Sequence, residues 1–259
     1  MFNRVLVFAY GLASYALFFA TFLYAFAFIG NFQIAGVVPV TLDGPPRTSF
    51  GVALAIDLGL LALFALQHSL MARPFFKRWL TQFIPEPAER STYVLFSSLA
   101  LILLFVFWEP LGGQVWEVRD ATGRGVLLAL FVFGWLLVLV STFLINHFDL
   151  FGLRQIWLQL LGKPYTPLRF GTPGPYKLVR HPLYVGWFFA FWATPTMTGT
   201  HLLFAVMTTA YILVAIQFEE RDLAASLGED YRRYRERVPM LIPFLGRGKR
   251  AQPRMNLRA

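Results

Sequence analysis

The sequence predicts an all-α integral membrane protein, a bundle of five to six transmembrane helices. Hydrophobic residues make up 57% of its 259 residues and charged residues only 14%, whereas about 25% of the residues in an average soluble domain are charged. The apolar residues come in blocks about as long as the roughly 20 residues that cross the hydrocarbon core of a bilayer. Lys and Arg residues collect on one side of these blocks, as they do in proteins oriented in a membrane.

The individual spans follow from the apolar blocks. Four blocks each fit one span, and they cover residues 4–29, 50–71, 93–108 and 125–145. A fifth apolar region, 183–218, is long enough for two helices, and Pro195 and Gly199 near its centre lie in a polar stretch that breaks a helix. We therefore expect six spans with a short fifth one; five spans and a re-entrant hairpin are the alternative.

Positive charge predicts the orientation of these spans. An even number of spans places both termini on one side, and 20 of the 23 Lys and Arg residues then lie on that side. The other side carries Arg47, Arg119 and Arg124. Because positively charged loops are retained in the cytoplasm, we expect both termini to be cytoplasmic. The basic residues flank apolar runs, so the net charge of +9 indicates contact with membrane lipid and not with nucleic acid.

Two segments on the cytoplasmic side are expected to close a site at that face of the membrane. The long segment 146–182 includes an aromatic amphipathic stretch, 151–161, that suits the membrane interface. Residues 221–237 are rich in Arg and Glu and predict a soluble C-terminal helix. The whole chain is predicted to be a single membrane domain, with a four-helix part, a part that carries the site and a basic tail at residues 1–145, 146–244 and 245–259.

Titratable residues gather at the cytoplasmic ends of the spans. Such groups are costly in hydrocarbon and tend to mark functional sites at its edge. Six of them predict one shared site, and they are His68, His147, Asp149, His181, Glu219 and Glu220. His201, alone on the other side, and Asp57, within the second span, are expected to be structural. The chain has no cysteine and its histidines lack metal-ligand spacing, so we predict no metal site.

The densest pattern of site residues runs from Gly171 to Gly186. Its Gly and Pro residues permit a tight turn whose backbone can approach a ligand closely. Arg180 and His181 follow this turn, and Pro182 is well placed to start a helix whose N-terminus favours an anionic group. The pattern is neither a P-loop nor a dinucleotide-binding fingerprint.

In combination, the C-terminal motifs resemble the isoprenylcysteine carboxyl methyltransferase superfamily. The motifs are Gly-Pro-Tyr at 174–176, Arg-His-Pro-Leu-Tyr-Val-Gly at 180–186, Glu-Glu-Arg-Asp-Leu at 219–223, Gly-Glu-Asp-Tyr-Arg-Arg-Tyr at 228–234, and Pro243. Two earlier stretches, 67–74 and 146–155, resemble the NnrU-type branch of that superfamily. Within this branch they are most similar to the bacterial methanethiol S-methyltransferases, which make dimethyl sulfide.

This resemblance implies an enzyme of the bacterial inner membrane that uses S-adenosyl-L-methionine to methylate a small thiol, methanethiol. It implies a cofactor site with the methionine portion at the Gly-Pro-Tyr turn and the ribose or adenine side at the two glutamates. The expected cofactor-binding residues are Gly174, Tyr176, Val179, Arg180, His181, Tyr184, Glu219 and Glu220. The expected substrate residues are Gln67, His68, Asn146 and Trp187. The sequence does not indicate an oligomeric state.

Methyl transfer to a thiol needs the nucleophilic thiolate, and therefore a base or a cationic environment. We predict His147 as the base, with Asp149 orienting its imidazole, and Arg180 as the third catalytic residue. The pair requires the helix to end near His147, because positions i and i+2 of a helix point in different directions. In the alternative, Arg180 or Arg154 lowers the pKa of the thiol electrostatically.

Other functions fit the same sequence. The acceptor of a methyltransferase of this kind could be an isoprenylcysteine carboxylate or a lipid amine. A non-catalytic transporter or accessory protein is the alternative from another class. Transporter sites usually lie near the bilayer midplane, whereas the polar groups here gather at one face, so we favour the enzyme.

Overall fold

The computed structural model describes residues 2–168 and 170–245, and these residues form ten α-helices and one two-stranded ribbon. The helices are α1 (Phe2–Ile29), α2 (Phe50–Met71), α3 (Pro74–Leu80), α4 (Glu89–Phe107), α5 (Ala121–Ile145), α6 (His147–Leu150), α7 (Leu153–Leu160), α8 (Pro182–Trp192), α9 (Gly199–Leu227) and α10 (Glu229–Arg237). The strands are β1 (Gln114–Glu117) and β2 (Thr196–Thr198). The predicted basic tail lies outside the described residues except for Leu245.

Five of the described helices are long and apolar enough to cross a bilayer: α1, α2, α4 with the turn before it, α5 and α9. This confirms the predicted class, an all-α protein that passes the membrane several times. α8 has 11 residues and rises only about 16 Å, roughly half the thickness of the hydrocarbon core.

Although α8 is short, the segment from His181 to Phe191 extends along most of the length of α9. Before α8 begins, His181 Nε2 lies 3.0 Å from Glu220 Oε1. Near the end of α8, the carbonyl oxygen of Phe191 lies 2.9 Å from Nε2 of His201. The predicted helix break between the two segments is confirmed, and β2 occupies it.

One end of the bundle, here called the loop end, is tied together by buried polar contacts. Asp43 accepts a hydrogen bond from Thr198, and its carboxylate lies 3.5 Å from Nδ1 of His201. Asp57 is fully buried and accepts a hydrogen bond from the backbone N–H of Glu109. β1 and β2 pair in antiparallel fashion at this end. These contacts agree with structural roles for Asp57 and His201.

Backbone contact between α5 and α8 sets the geometry of the opposite end, here called the site end. A Cβ atom at Gly134 would lie 2.6 Å from the carbonyl oxygen of Gly186, and one at Gly186 would lie 2.7 Å from that of Gly134. Only glycine permits such an approach, as at many helix contacts in membranes. The segment before α8 therefore lies beside the last turns of α5, where a Cβ at Gly174 would be 3.3 Å from Leu144 Cδ1.

The predicted C-terminal helix at residues 221–237 is wrong in its boundaries. α9 continues through polar residues as far as Leu227, and Gly228, with φ +60°, separates it from α10. The sequence changes from apolar to polar where α9 leaves the apolar block, but this change does not interrupt the backbone hydrogen bonds of a helix. A helix end therefore could not be placed from polarity.

Other boundaries also differ from the prediction. α4 begins four residues earlier than expected, and α5 begins at Ala121, where the side chain of Asp120 caps the helix by accepting a hydrogen bond from Gly123 N. The amphipathic stretch 151–161 contains α7, with Ile156 buried and Trp157 exposed. α3 and the ribbon were not predicted.

Candidate active site

Arg180 joins the start of α8 to α9 and to the end of α10. Its Nε lies 2.7 Å from Glu220 Oε1, and its Nη1 donates to the carbonyl oxygens of Arg235 and Val238 at 3.0 and 2.7 Å. The planar guanidinium has several donors in a fixed arrangement, which suits three acceptors at once. Two of the three donor nitrogens of Arg180 are thus bonded to protein acceptors, and the residue stabilises the site end.

Two glutamates one residue apart on α9 have different partners. Oε1 of Glu220 accepts from Arg180 and also contacts His181 Nε2, and the side chain of Glu220 is 11% exposed. Glu219 accepts a hydrogen bond from the hydroxyl of Tyr184 at 2.9 Å, and its side chain is 43% exposed. Nδ1 of His181 lies 3.8 Å from Glu219 Oε2. Because Glu219 has no Arg or Lys partner among the described residues and remains accessible, it is the carboxylate of this pair that can bind a ligand.

The Gly-Pro-Tyr turn packs against α5. Gly174 has φ +51° and begins a short 3₁₀ turn, and Val179 after it is buried. The backbone oxygen of Tyr176 accepts a hydrogen bond from Tyr234 at 2.7 Å. The hydroxyl group of Tyr176 faces the hydroxyl group of Ser141 on α5. Neither of these two oxygens has a hydrogen-bond partner of normal geometry within the described residues. Burial raises the pKa of Tyr176, so its phenol is neutral.

His147 lies at the end of α5, two residues after the last residue of that helix. Its Nε2 is 2.7 Å from the hydroxyl of Tyr15 on α1, and its Nδ1 is 2.8 Å from Oγ1 of Thr142 on α5. The ring of Phe143 stacks on the imidazole at 4.2 Å between centroids. Only 3% of His147 is exposed, and this burial lowers the pKa of His147 below its ordinary value of 6.5. The imidazole is therefore neutral at neutral pH.

The predicted contact between His147 and Asp149 is wrong. Asp149 Oδ1 lies 2.9 Å from Arg154 Nη1, and its Oδ2 accepts a hydrogen bond from Tyr165. The helix does end before His147, as the hypothesis required, but a new helix, α6, begins at His147 and points the two side chains in different directions. Asn146 caps α6 by accepting a hydrogen bond from the backbone of Asp149 at 3.1 Å.

The predicted substrate residues of α2 contact α4. His68 lies 2.7 Å from the hydroxyl of Tyr93 and 3.1 Å from Oγ of Ser97. Gln67 donates to Ser97 at 3.4 Å, and its Oε1 is buried without a partner among the described residues. The neighbouring Ser69 of α2 lies 3.1 Å from the hydroxyl of Tyr211 on α9, so this cluster lies beside α9.

Trp187, on the second turn of α8, belongs to a run of aromatic rings that leads from α8 toward His147. Its ring is 5.1 Å from that of Trp135 and 6.4 Å from that of Phe22. At the other end of this run of rings, the centroids of Phe151 and His147 lie 4.7 Å apart. The interior next to the imidazole is therefore apolar and aromatic.

Comparison with known proteins gives the family. Residues 125–230 match the phospholipid methyltransferase family. Methanethiol S-methyltransferase of Crocosphaera subtropica is 57% identical over 245 residues, which cover 95% of this chain and 94% of that protein. The enzyme of the same name in Mycobacterium tuberculosis is 53% identical over 93% of this chain and 98% of its own length. This chain belongs to the methanethiol S-methyltransferase family. No solved structure matches it significantly.

Membership of the methanethiol S-methyltransferase family confirms the predicted class of protein, a membrane methyltransferase. The relatives cover nearly the whole chain, and the matched region 125–230 includes His147, Arg180 and both glutamates. A transporter or accessory role is not supported. Methanethiol S-methyltransferase 1 of Bradyrhizobium diazoefficiens, 53% identical over 93% of this chain, agrees with this assignment.

Three residues at the candidate site were missed by sequence reasoning. Tyr15, Ser141 and Thr142 lie inside long apolar helices, α1 and α5. Hydroxyl groups inside apolar helices commonly bond to their own backbone or to neighbouring helices. The sequence pattern around these three residues therefore gave no indication of a site. Their position is revealed by the contacts of Tyr15 and Thr142 with His147 and of Ser141 with Tyr176.

A methyltransferase requires a methyl donor, and the site end has unused polar groups that fit one. Ser141 Oγ and Tyr176 Oη are buried without partners in the described parts of the chain, and the carboxylate of Glu219 is accessible. A buried polar atom without a partner costs free energy, so a ligand that bonds to these atoms would be stabilised. An open cleft of about 560 Å³ borders the same turn, and it is lined by Phe170, Thr172, Lys177, Asp230, Arg233, Tyr234, Arg237 and Val238.

Proposed function

We propose that this protein transfers a methyl group from S-adenosyl-L-methionine to methanethiol and forms dimethyl sulfide. The observation that carries the proposal is a convergence on two consecutive residues of α5. Ser141 faces the Gly-Pro-Tyr turn, and Thr142 bonds to His147. One turn of α5 therefore contacts both the Gly-Pro-Tyr turn and His147, which supports a cofactor site and a neutral base lying side by side. The near full-length identity with methanethiol S-methyltransferases supports this substrate.

The cofactor is assigned to the site end. When bound, S-adenosyl-L-methionine supplies a methyl group activated by a sulfonium. Glu219 would accept hydrogen bonds from ribose hydroxyls, and the turn at Gly174 would hold the methionine portion. The remaining residues assigned to this site are Tyr176, Val179, Arg180, His181, Tyr184 and Glu220. Arg180 and Glu220 act by fixing the start of α8 to α9, which keeps the turn in position.

Methanethiol is a small uncharged thiol, and the aromatic interior around Trp187 offers it an apolar surface. The neutral imidazole of His147 is suited to accept the thiol proton, because a base with a lowered pKa stays unprotonated at neutral pH. Gln67, His68 and Asn146 are assigned to the substrate side. Asp149 has no direct part in this proposal, because it is bound to Arg154.

The reaction is placed at the cytoplasmic face of the bacterial inner membrane. The sequence prediction that 20 of the 23 Lys and Arg residues lie on the side of both termini supports this orientation. The cofactor is a water-soluble molecule of the cytoplasm, and a site on that side reaches it directly.

Binding and an acceptor panel test the proposal. The purified protein in lipid nanodiscs is titrated with S-adenosyl-L-methionine by calorimetry and then supplied with methanethiol, an isoprenylcysteine or phosphatidylethanolamine. We expect saturable binding and methylation of methanethiol. Binding followed by methylation of one of the other two acceptors would change the substrate, and no binding with no product would remove the enzyme assignment.

A further inference from the structure

The hydrogen bonds around His147 determine which ring nitrogen carries the proton. A hydroxyl has one proton to donate, and Thr142 Oγ1 donates its own to the carbonyl oxygen of Leu139 at 2.7 Å. Thr142 can therefore only accept from His147, whose Nδ1 lies 2.8 Å away. The proton of the neutral imidazole is on Nδ1, and Nε2 carries the lone pair.

The lone pair on Nε2 is covered by Tyr15. The Tyr15 hydroxyl lies 2.7 Å from Nε2 and must donate to it, since Nε2 has no proton. With 3% exposure, His147 offers no other route to its basic nitrogen. Tyr15, in contrast, is only partly buried, and its ring borders the aromatic run at Phe151. A thiol that delivers its proton to Nε2 therefore has to do so through the phenol.

We propose that Tyr15 relays the proton of the thiol to His147, an inference that rests on the proposed function. The thiol S–H proton passes to the Tyr15 oxygen while the phenol proton passes to Nε2, which leaves an imidazolium with protons on both nitrogens. The thiolate uses its electron pair to form the bond to the methyl carbon, and the bond from that carbon to the donor sulfur breaks with its electron pair on that sulfur. The imidazolium then releases one proton to solvent.

The surroundings of the imidazole support this relay. Among the described residues, the side chains in contact with the ring come from Tyr15 on α1, Thr142 and Phe143 on α5, Phe148 on α6, and Phe151. None of these five is charged, and Tyr15 alone among them is titratable. The nearby ions Asp149 and Arg154 neutralise each other. Thr142 is a positioning residue, because it fixes the proton on Nδ1 and so keeps Nε2 free to accept.

Substitution of the phenol tests the relay, with a matched tyrosine as control. Tyr15→Phe should lower kcat for methanethiol by about 100-fold or more, with S-adenosyl-L-methionine binding unchanged. Tyr10→Phe also removes one hydroxyl from α1, which bonds to Thr92 on α4, and should keep wild-type turnover. A thiol that is already ionised needs no relay, so the defect of Tyr15→Phe should shrink at high pH and with 2,2,2-trifluoroethanethiol.

The tautomer can be measured without any cofactor. In the wild type, imidazole ¹⁵N chemical shifts of His147 should show protonated Nδ1 and unprotonated Nε2. Thr142→Val removes the acceptor and should populate the other tautomer and lower kcat, whereas Thr142→Ser keeps the hydroxyl and should restore both readouts.

Three results would overturn the relay: wild-type turnover in Tyr15→Phe, an equal defect with both thiols at every pH, or a wild-type imidazole protonated on Nε2. Failure of the proposed function looks different, because the wild type itself would then bind no S-adenosyl-L-methionine or methylate no thiol.

Discussion

At the scale of single residues, burial controls the charge of His147. Among the described residues, the ring is surrounded by Phe143, Phe151 and two hydroxyl groups and contacts no carboxylate. The pKa of His147 falls below 6.5 because the charged form is poorly solvated there. The folded state then binds fewer protons than the unfolded state whenever the pH lies between the two pKa values. Stability must therefore rise with pH in that interval.

The direction of this pH dependence gives a prediction for the stability of the protein. The contribution of His147 is complete above about pH 6.5 and is lost as the pH falls through the lower pKa of the folded state. The apparent melting temperature of the wild type in nanodiscs should drop between pH 7.5 and 5, and His147→Gln should show a smaller drop. A drop of the same size in both proteins would mean that His147 does not titrate in this way.

Arg180 gives a second prediction at this scale. Its side chain is 11% exposed and bonds to one carboxylate and two carbonyl oxygens, so Arg180→Ala leaves Glu220 buried with one partner fewer. We expect a loss of about 3 kcal/mol of stability, the scale measured for broken buried ion pairs. Arg233→Ala, which breaks an exposed pair with Glu229 on α10, should cost less than about 1 kcal/mol. Equal melting temperatures for the two variants would contradict the role assigned to Arg180.

At the scale of elements, the contact between α5 and α8 positions the site. A Cβ at Gly134 would lie 2.6 Å from a backbone oxygen, and backbone atoms of packed helices cannot move aside cheaply. Gly134→Ala should therefore reduce the yield of monodisperse protein and its melting temperature. Gly125→Ala in the same helix meets nothing within 4 Å and should be neutral or stabilising by up to about 1 kcal/mol, because alanine is the better helix former. Unchanged behaviour of Gly134→Ala would show that the two helices can separate.

The elements also show what the sequence could predict. The span Phe50–Met71 was predicted to the residue, because a polar loop and a charged turn bound its apolar block. The end of α9 was not predicted, because Leu227 lies well inside polar sequence. The ribbon was not predicted, because strands of three or four residues are too short to show a recognisable alternation of polar and apolar residues. Within the site, the motifs assigned Arg180 and Glu220 to one shared site but did not predict their ion pair. The partners of His147 come from α1 and α5, contacts that no local pattern encodes.

At the scale of the whole molecule, the two ends of the bundle have different roles. The loop end is held by buried polar contacts and a short ribbon, and the site end carries the groups assigned to chemistry. The separation suits an enzyme that meets a soluble cofactor on one side and lipid around its middle.

The orientation of the two ends can be measured directly, because the chain has no cysteine. Single cysteines at Arg4 and Gln114 should react differently with a membrane-impermeant maleimide in intact cells. We expect labelling of Gln114→Cys from outside and of Arg4→Cys only after lysis. The reverse pattern would place the site on the outer face.

The central claim is that the methyl group of S-adenosyl-L-methionine ends on methanethiol. The most direct measurement supplies the purified protein with cofactor carrying a ¹³C methyl group and with unlabelled methanethiol, and analyses the gas above the solution by mass spectrometry. We predict dimethyl sulfide with one labelled carbon, formed by the wild type and strongly reduced in His147→Gln. Cofactor binding without labelled dimethyl sulfide from the wild type would contradict the account.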